Sequence, residues 1–434
     1  MALTRISLQD IKDLRRIFSS LRSRNYRLYF TGQGISLIGS WMQSIALSWL
    51  IYRLTGSVFL LGLIGFTSQI PTFLLAPFTG VLTDRFNRLR IMTLTQVFFM
   101  IQALALTLLV LMNQIQVWHI IALSLFSGII SAFDVPARQS LVIDLIDDPD
   151  DLGNAIALNS AIFNGARLIG PAIAGITIAI VGEGMCFLLN TVSFIAVIIA
   201  LLQIKIPAKQ TVTHHADFKS SFTEGLQYTF HSVPIRTLII LLAVLSIAGL
   251  PFIVLLPAYA KEILHGSSDT LGYLMSALGA GALLAAIYMA ARRTVLGLGK
   301  IISTSIGVLG LAIIMASLSK VQYFSFIACF FGGLAMILLL SAVNTLLQTI
   351  TDEDKRGRVM SFYAMALMGT LPIGNLIIGS VASGIGIPYS LLICGVITLI
   401  TAIWFALNLR SFRSYIRPIY VTKGILPALP DDIA

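Results

Sequence analysis

The chain has 434 residues, 57% of them hydrophobic and 11% charged, with a formal net charge of +10. Soluble domains carry about a quarter charged residues, so water is excluded as the solvent for most of this one. Apolar stretches of about 20 residues, long enough to cross a bilayer core of about 30 Å, recur from end to end, which also excludes a single anchored domain.

In chain order, residues 1–27 form a basic segment. Leu8, Ile11, Leu14, Ile17, Phe18 and Leu21 share one helical face there, with Lys12, Arg15, Arg16 and Arg22 elsewhere, the pattern of an interfacial helix on an anionic leaflet. No small-residue cleavage site follows, so the first span itself is the expected targeting signal. Spans are predicted at 28–52, 58–82, 91–112, 118–142, 154–181 and 185–204, then at 235–261, 269–291, 300–319, 322–350, 357–382 and 388–409. The polar stretch 205–234, with His214, His215 and amphipathic spacing from Phe218 to Phe230, divides them, and 410–434 is a tail. The expected fold is an all-α membrane protein: twelve transmembrane helices in two six-helix bundles, 28–204 and 235–409. Tyr26, Tyr29 and Tyr52, near span ends, read as interface anchors.

Of the 29 lysines and arginines, 25 fall in the tails and even-numbered connections, counted with the span ends beside them; Arg53, Lys261 and Lys320 lie on the opposite side, and Arg167 falls deep within a span. By the positive-inside rule both termini are expected in the cytoplasm. The net charge is thus a topological signal, and no nucleic-acid partner is implied.

The two halves are related in sequence. A shift of 204 places Asp150, Gly153, Gly165, Gly170 and Gly175 on Asp354, Gly357, Gly369, Gly374 and Gly379 without a gap. A shift of 210 places Gly56-Ser57 and Leu61-Gly62 on Gly266-Ser267 and Leu271-Gly272, with Arg90 on Lys300. Two repeats of six spans are a common construction among secondary transporters.

The connection after the second span reads Gly80-Val-Leu-Thr-Asp84-Arg85-Phe-Asn-Arg88-Leu-Arg90. A glycine permits close helix approach, the cations hold the loop at the inner leaflet, and a carboxylate can face a helix N-terminus. The loop resembles the signature of the major facilitator superfamily, and the resemblance implies that Asp84 latches the cytoplasmic side shut. A surface pair of Asp84 with Arg85 or Arg88 is the alternative. In the second half Arg292, Arg293 and Lys300 keep the charge while Thr294 replaces the aspartate, so any latch is one-sided and is expected to face the eleventh span near Gly357.

On the fourth span, Phe133-Asp134-Val-Pro136-Ala-Arg138 places an acid inside the apolar run. Arg138, four residues on, is one candidate partner, across a turn that Pro136 disturbs. Arg167 on the fifth span is the other. It lies about 20 Å into its helix, counted at 1.5 Å per residue, where a charge costs at least a few kcal/mol unless something meets it. A structural Asp134–Arg138 pair and a proton-coupling or gating centre that includes Arg167 both fit.

Around Arg167, the run Gly165-Ala-Arg167-Leu-Ile-Gly170-Pro171-Ala-Ile-Ala-Gly175 is similar to the glycine-proline motif of antiporters in the same superfamily. Close helix packing at the glycines and a bend at Pro171 are the plain expectations. Pro251 and Pro257 on the seventh span mark either a flexing gate or a tolerated kink.

Asn25-Tyr-Arg27-Leu-Tyr-Phe, Leu54-Thr-Gly56-Ser57, Asp134-Val-Pro-Ala-Arg138-Gln, Phe187-Leu-Leu-Asn190 and Arg356-Gly-Arg358-Val-Met-Ser together resemble the superfamily branch of enterobactin exporters and macrolide efflux proteins. That resemblance implies proton-driven export of an amphipathic small molecule from a bacterial inner membrane, by a monomer. A lipid or lysolipid flippase and a non-transporting sensor are the alternatives. The superfamily plan, with spans one, four, seven and ten lining the path, offers Gln33, Trp41, Gln43, Trp49, Phe126, Phe133, Tyr259, Asn344 and Gln348 as cavity residues.

No enzyme is expected. Gly297-Leu-Gly299-Lys300-Ile301 lacks the spacing and the Ser or Thr of a phosphate loop, and neither a zinc signature nor a nucleophile elbow appears. Cys186, Cys329 and Cys394 sit in apolar runs without ligand spacing. Neither a metal nor a cofactor is called for.

Overall fold

Lipid offers no hydrogen bonds to a backbone, so each apolar run closes its own N–H and C=O groups as helix. The computed structural model describes residues 19–206, 226–292, 294–353 and 355–427, without the side chains of 77, 80–85 and 149. Among these residues, 12 helices are long and apolar enough to cross a membrane. They are α1 (Arg24–Thr55), α2 (Val58–Arg85), α3 (Arg88–Leu111), α4 (Val117–Asp144), α5 (Leu152–Val181) and α6 (Glu183–Leu202). Then come α7 (Val233–Ile263), α8 (Ser268–Ala291), α9 (Leu298–Leu318), α10 (Gln322–Ile350), α11 (Arg356–Ile385) and α12 (Ile387–Leu407).

Number and order agree with the sequence expectation, and the ends differ by a few residues. The expected interfacial helix at 8–21 lies largely outside the described residues, as does most of the stretch from Phe218 to Phe230; Ser19–Arg22 is a 3-10 turn. The sequence tail holds a further helix, α13 (Leu409–Thr422), which buries Phe412, Ile416 and Tyr420 at four-residue spacing.

Two compact units divide the chain: Met1–Leu47 with Leu74–Thr213, and Ser48–Phe73 with His214–Ala434. The division departs from the expected 28–204 bundle at Ser48–Phe73, the facing ends of α1 and α2. Glycines account for this. A Cβ on Gly62 would lie 3.0 Å from Gly379 Cα, and one on Gly65 would lie 2.9 Å from Asn375 Nδ2, so α2 packs backbone to backbone on α11. Tyr52 donates to Glu262, and Lys261 Nζ sits 5.5 Å from the centre of the Tyr52 ring. Tyr26, Tyr29 and Tyr52 are therefore corrected from interface anchors to core residues, at 0, 0 and 1% exposure. Each has a hydroxyl partner, Tyr26 in Ala155 O at 2.8 Å and Tyr29 in Asn159 Oδ1 at 3.4 Å.

Within the first unit, Gly170 brings α5 onto α1, where a Cβ would meet Ile38 O at 3.0 Å and Trp41 Cβ at 2.6 Å. Within the second, its repeat partner Gly374 brings α11 onto α7, where a Cβ would meet Ser246 O at 2.6 Å. The exits repeat as well. Gly182 after α5 (φ 83°) bonds Ile178 O, and Gly386 after α11 (φ 86°) bonds Ala382 O, each 204 residues apart. A left-handed φ favours glycine at both.

The repeats differ in regularity. Both α1 and α5 are continuous α-helices, Pro171 included. By contrast α7 passes through a 3-10 segment, Leu250–Leu255, and a π segment, Tyr259–Ile263, while α11 contains a π segment at Met365–Gly369. Pro251 and Pro257 lack the N–H that a regular ladder needs, which accounts for the irregularity in α7.

Candidate functional site

Lipid-facing charges are expensive, so the ionisable and amide side chains buried inside the first unit define the site. Asp134, 5% exposed, projects from α4 toward α3. Its Oδ1 accepts from Thr95 Oγ1 at 2.9 Å and Gln96 Nε2 at 2.7 Å, and its Oδ2 lies 3.7 Å from Arg138 Nε. Helix α4 runs unbroken through Pro136, so the four-residue spacing holds. Thr95 and Gln96 complete the carboxylate's shell. Sequence reasoning missed them because an amide and a hydroxyl on another span carry no local signal.

Arg167 on α5, 9% exposed, has its guanidinium carbon 5.4 Å from the centre of the Trp41 ring on α1. Phe163, one turn away, meets Trp41 edge-on at 6.1 Å. A desolvated cation on an indole face is stabilised by about 2 kcal/mol. The approach depends on Gly170, described above. Gly165 contributes no such packing, since a Cβ there would meet nothing within 4 Å.

A chain of amides crosses α1 two residues beyond Trp41, at Gln43, and joins it to α6 and α3. Asn190 Nδ2 donates to Gln43 Oε1 at 2.8 Å, Gln43 Nε2 donates to Gln102 Oε1 at 2.8 Å, and Gln102 Nε2 donates to Leu123 O at 3.4 Å. Gln43, half-buried, thus links α6 to α3. Removing Asn190 takes the donor from the Oε1 of half-buried Gln43, which costs about 1 kcal/mol. Asn190→Leu should lower the thermal midpoint of the purified protein, and Gln43→Leu added to it should cost less than the sum of the two single changes.

The other sequence candidates fall as follows. Gln33 is buried, with its Oε1 lacking a partner among the described residues. Phe133 is half-buried. In the second unit Tyr259 is buried, its hydroxyl on Ser319 O at 3.1 Å and Ser325 Oγ at 2.7 Å. Asn344 accepts from Gln348 Nε2 at 2.6 Å, and Gln348 lines a cavity of about 720 Å³.

Gly80, Asp84 and Arg85 fall in the last turns of α2, their side chains outside those described. The loop's last members are in view. Arg88 Nη1 lies 2.9 Å from Asp144 Oδ2 on α4, so its carboxylate partner is Asp144. Asn87 caps α3, its Oδ1 accepting from Arg90 N at 3.1 Å.

Twelve helices of membrane-crossing length among the described residues, in two sequence-related halves with a buried carboxylate and a buried guanidinium, are the architecture of a multi-pass membrane transporter of the major facilitator type. Residues 16–417 match the family described as transmembrane secretion effector, and the chain belongs to it. It is 25% identical over 388 residues, 88% of this chain and 96% of the other, to the staphyloferrin A transporter of Staphylococcus aureus. It is 22% identical over 391 residues, 87% and 95% of the two chains, to macrolide efflux protein A of Streptococcus pyogenes. A bacterial homolog of the human lysosomal transporter Spinster, inward-facing and unoccupied, shares the fold at a TM-score of 0.68 and 16% identity, over 91% of this chain and 98% of that one.

Proposed function

We propose that this transporter exports an amphipathic small molecule across a bacterial inner membrane in exchange for protons, by alternating access, with both termini in the cytoplasm. The observation that carries the reading is the pair of buried ionisable centres in one bundle: Asp134 within its shell of Thr95, Gln96 and Arg138, and Arg167 on Trp41. A carboxylate 3.7 Å from a guanidinium loses that attraction when it takes a proton, so α4 has two electrostatic states for one proton to select between. Arg167 on the Trp41 ring, which Phe163 meets edge-on, suits a cargo that joins an apolar body to a polar or acidic group. Relatives whose names specify a staphyloferrin A transporter and a macrolide efflux protein support this cargo class.

Asp84 is assigned the latch of the cytoplasmic side, and Asp84→Asn is expected to lower transport while leaving the amount of membrane protein unchanged. The deciding experiment is reconstitution into liposomes under an imposed pH gradient. Solute movement that follows the gradient, and that becomes indifferent to pH in Asp134→Asn, is the expected result. Movement of fluorescent lipid at the same rate with and without the gradient would assign a flippase instead.

A further inference from the structure

Where α10 stops and α11 begins, the second unit holds a cavity of about 720 Å³, lined by Thr345, Gln348, Thr349, Glu353, Arg356, Lys423 and Ile425. That is within the usual range of small-molecule sites, roughly 300–1,000 Å³. Its two sides differ electrically. At the end of α10 two carbonyls are covered: Leu347 O accepts from the Thr351 amide at 3.2 Å and hydroxyl at 2.6 Å, and Thr351 O accepts from Lys423 Nζ at 2.6 Å. An ammonium has three donors, and this bond uses one.

On the α11 side stands Arg356, the first residue of its helix, which has no side-chain cap. Its side chain is 42% exposed, but its Nε is buried and has no hydrogen-bond partner among the described residues. A guanidinium N–H shut away from water requires an acceptor. The neighbouring carboxylate, Glu353, is 3.9 Å from Nη2 with its own side chain 92% exposed, a contact that solvent screens.

The third wall is the chain beyond α13. Phe412, Ile416 and Tyr420 hold α13 in the core of the second unit. Gly424, at φ 69°, then turns the backbone so that Ile425 N bonds Tyr420 O at 2.8 Å. The turn brings Lys423 and Ile425 to the cavity, and a shorter chain would leave it open on that side.

We propose that this cavity is an anion site, which takes one carboxylate or phosphate group between Arg356 and Lys423 and exists because the turn that follows α13 supplies the second cation. Both a soluble acid and the headgroup of an anionic lipid carry that chemistry. The site lies wholly in the second unit and uses none of the charged groups assigned to transport; of the residues the sequence offered for the transport path it shares Gln348.

The test uses the full-length chain, and its readout is binding rather than transport. Citrate and inorganic phosphate are titrated against the thermal midpoint in neutral detergent, and the midpoint is measured again in phosphatidylcholine nanodiscs with and without phosphatidylglycerol. Arg356→Gln should weaken the response about tenfold, the usual scale for losing a charge-assisted hydrogen bond. Glu353→Gln should strengthen it about threefold by removing a competing carboxylate, at the low end of that same scale. The opposite signs separate electrostatics from damage, because Glu353 is exposed and its replacement leaves the fold intact. A response to citrate or phosphate assigns a soluble acid, and a response to phosphatidylglycerol alone assigns a lipid headgroup; either supports the site. No response to any of them, or a response that Arg356→Gln and Glu353→Gln leave unaltered, overturns it.

Discussion

Gly333→Val is expected to abolish accumulation of folded protein. A Cβ at Gly333 would meet Leu278 across the α8–α10 seam, at 2.7 Å from its carbonyl carbon and 3.0 Å from its Cα, with its carbonyl oxygen nearer still. From the other side Gly281 is wedged against Phe330 and Leu334 in the same manner, 2.8 Å from the Leu334 amide. Backbone cannot rotate out of the way, so the two helices would have to part. In lipid nothing analogous to the hydrophobic effect holds them together, only van der Waals packing and interhelical bonds. Overpacking a core costs about 1–3 kcal/mol, and a branched side chain against backbone on a shared seam belongs at or above the top of that range. Fluorescence-detected size exclusion of a C-terminal fusion should show no monodisperse peak. Gly165→Ala is the matched control, because a Cβ there meets open space; it should leave the peak unchanged and can stabilise α5 by up to about 1 kcal/mol. A wild-type profile for Gly333→Val would disprove the seam.

Span number, order and approximate limits were legible because each crossing must be a continuous apolar run in lipid. The repeat was legible because its glycines are structural: Gly170 and Gly374 do matching work at matching depth, and Gly182 with Gly386 ends the same helix in each half. The candidate site was legible only as single residues. Asp134 and Arg167 announce themselves by charge in an apolar run, whereas the Thr95 and Gln96 donors and the Asn190–Gln43–Gln102 chain join spans far apart in sequence. The tyrosines misled for a related reason. A Tyr near a span end satisfies its hydroxyl equally well at the lipid headgroups or on a neighbouring helix, and the sequence does not say which.

The repeats have also diverged in a way that spacing does not reveal. Helices α7 and α11 contain 3-10 and π segments where α1 and α5 run regular. Such segments leave backbone groups with softer hydrogen bonding and often mark functional positions. Flexing during a transport cycle is therefore expected to concentrate in the second unit at Leu250–Ile263 and Met365–Gly369, while the first unit, which holds the charges, keeps its geometry.

That division shapes the expectation for Arg167→Gln. The guanidinium is 91% removed from solvent, against an indole face supplied by a regular helix. Replacing it removes both the desolvation cost of a buried charge and the stabilisation that the indole gives it, terms of opposite sign, so the variant should accumulate to near the wild-type level. Transport should nonetheless fall by at least about tenfold, the equivalent of about 1.4 kcal/mol, because the cationic anchor on Trp41 is gone. Arg167→Lys separates the two contributions of the side chain. It keeps the charge but loses the planar stacking surface and the fork of donors, so it should restore part of the transport and not all of it. Flux in proteoliposomes at several pH values, set beside protein yield, reads both. Full flux with an unchanged pH profile in Arg167→Gln would reduce Arg167 to a packing residue, and the cargo centre would then have to be sought elsewhere in the first unit, beginning with the buried Gln33.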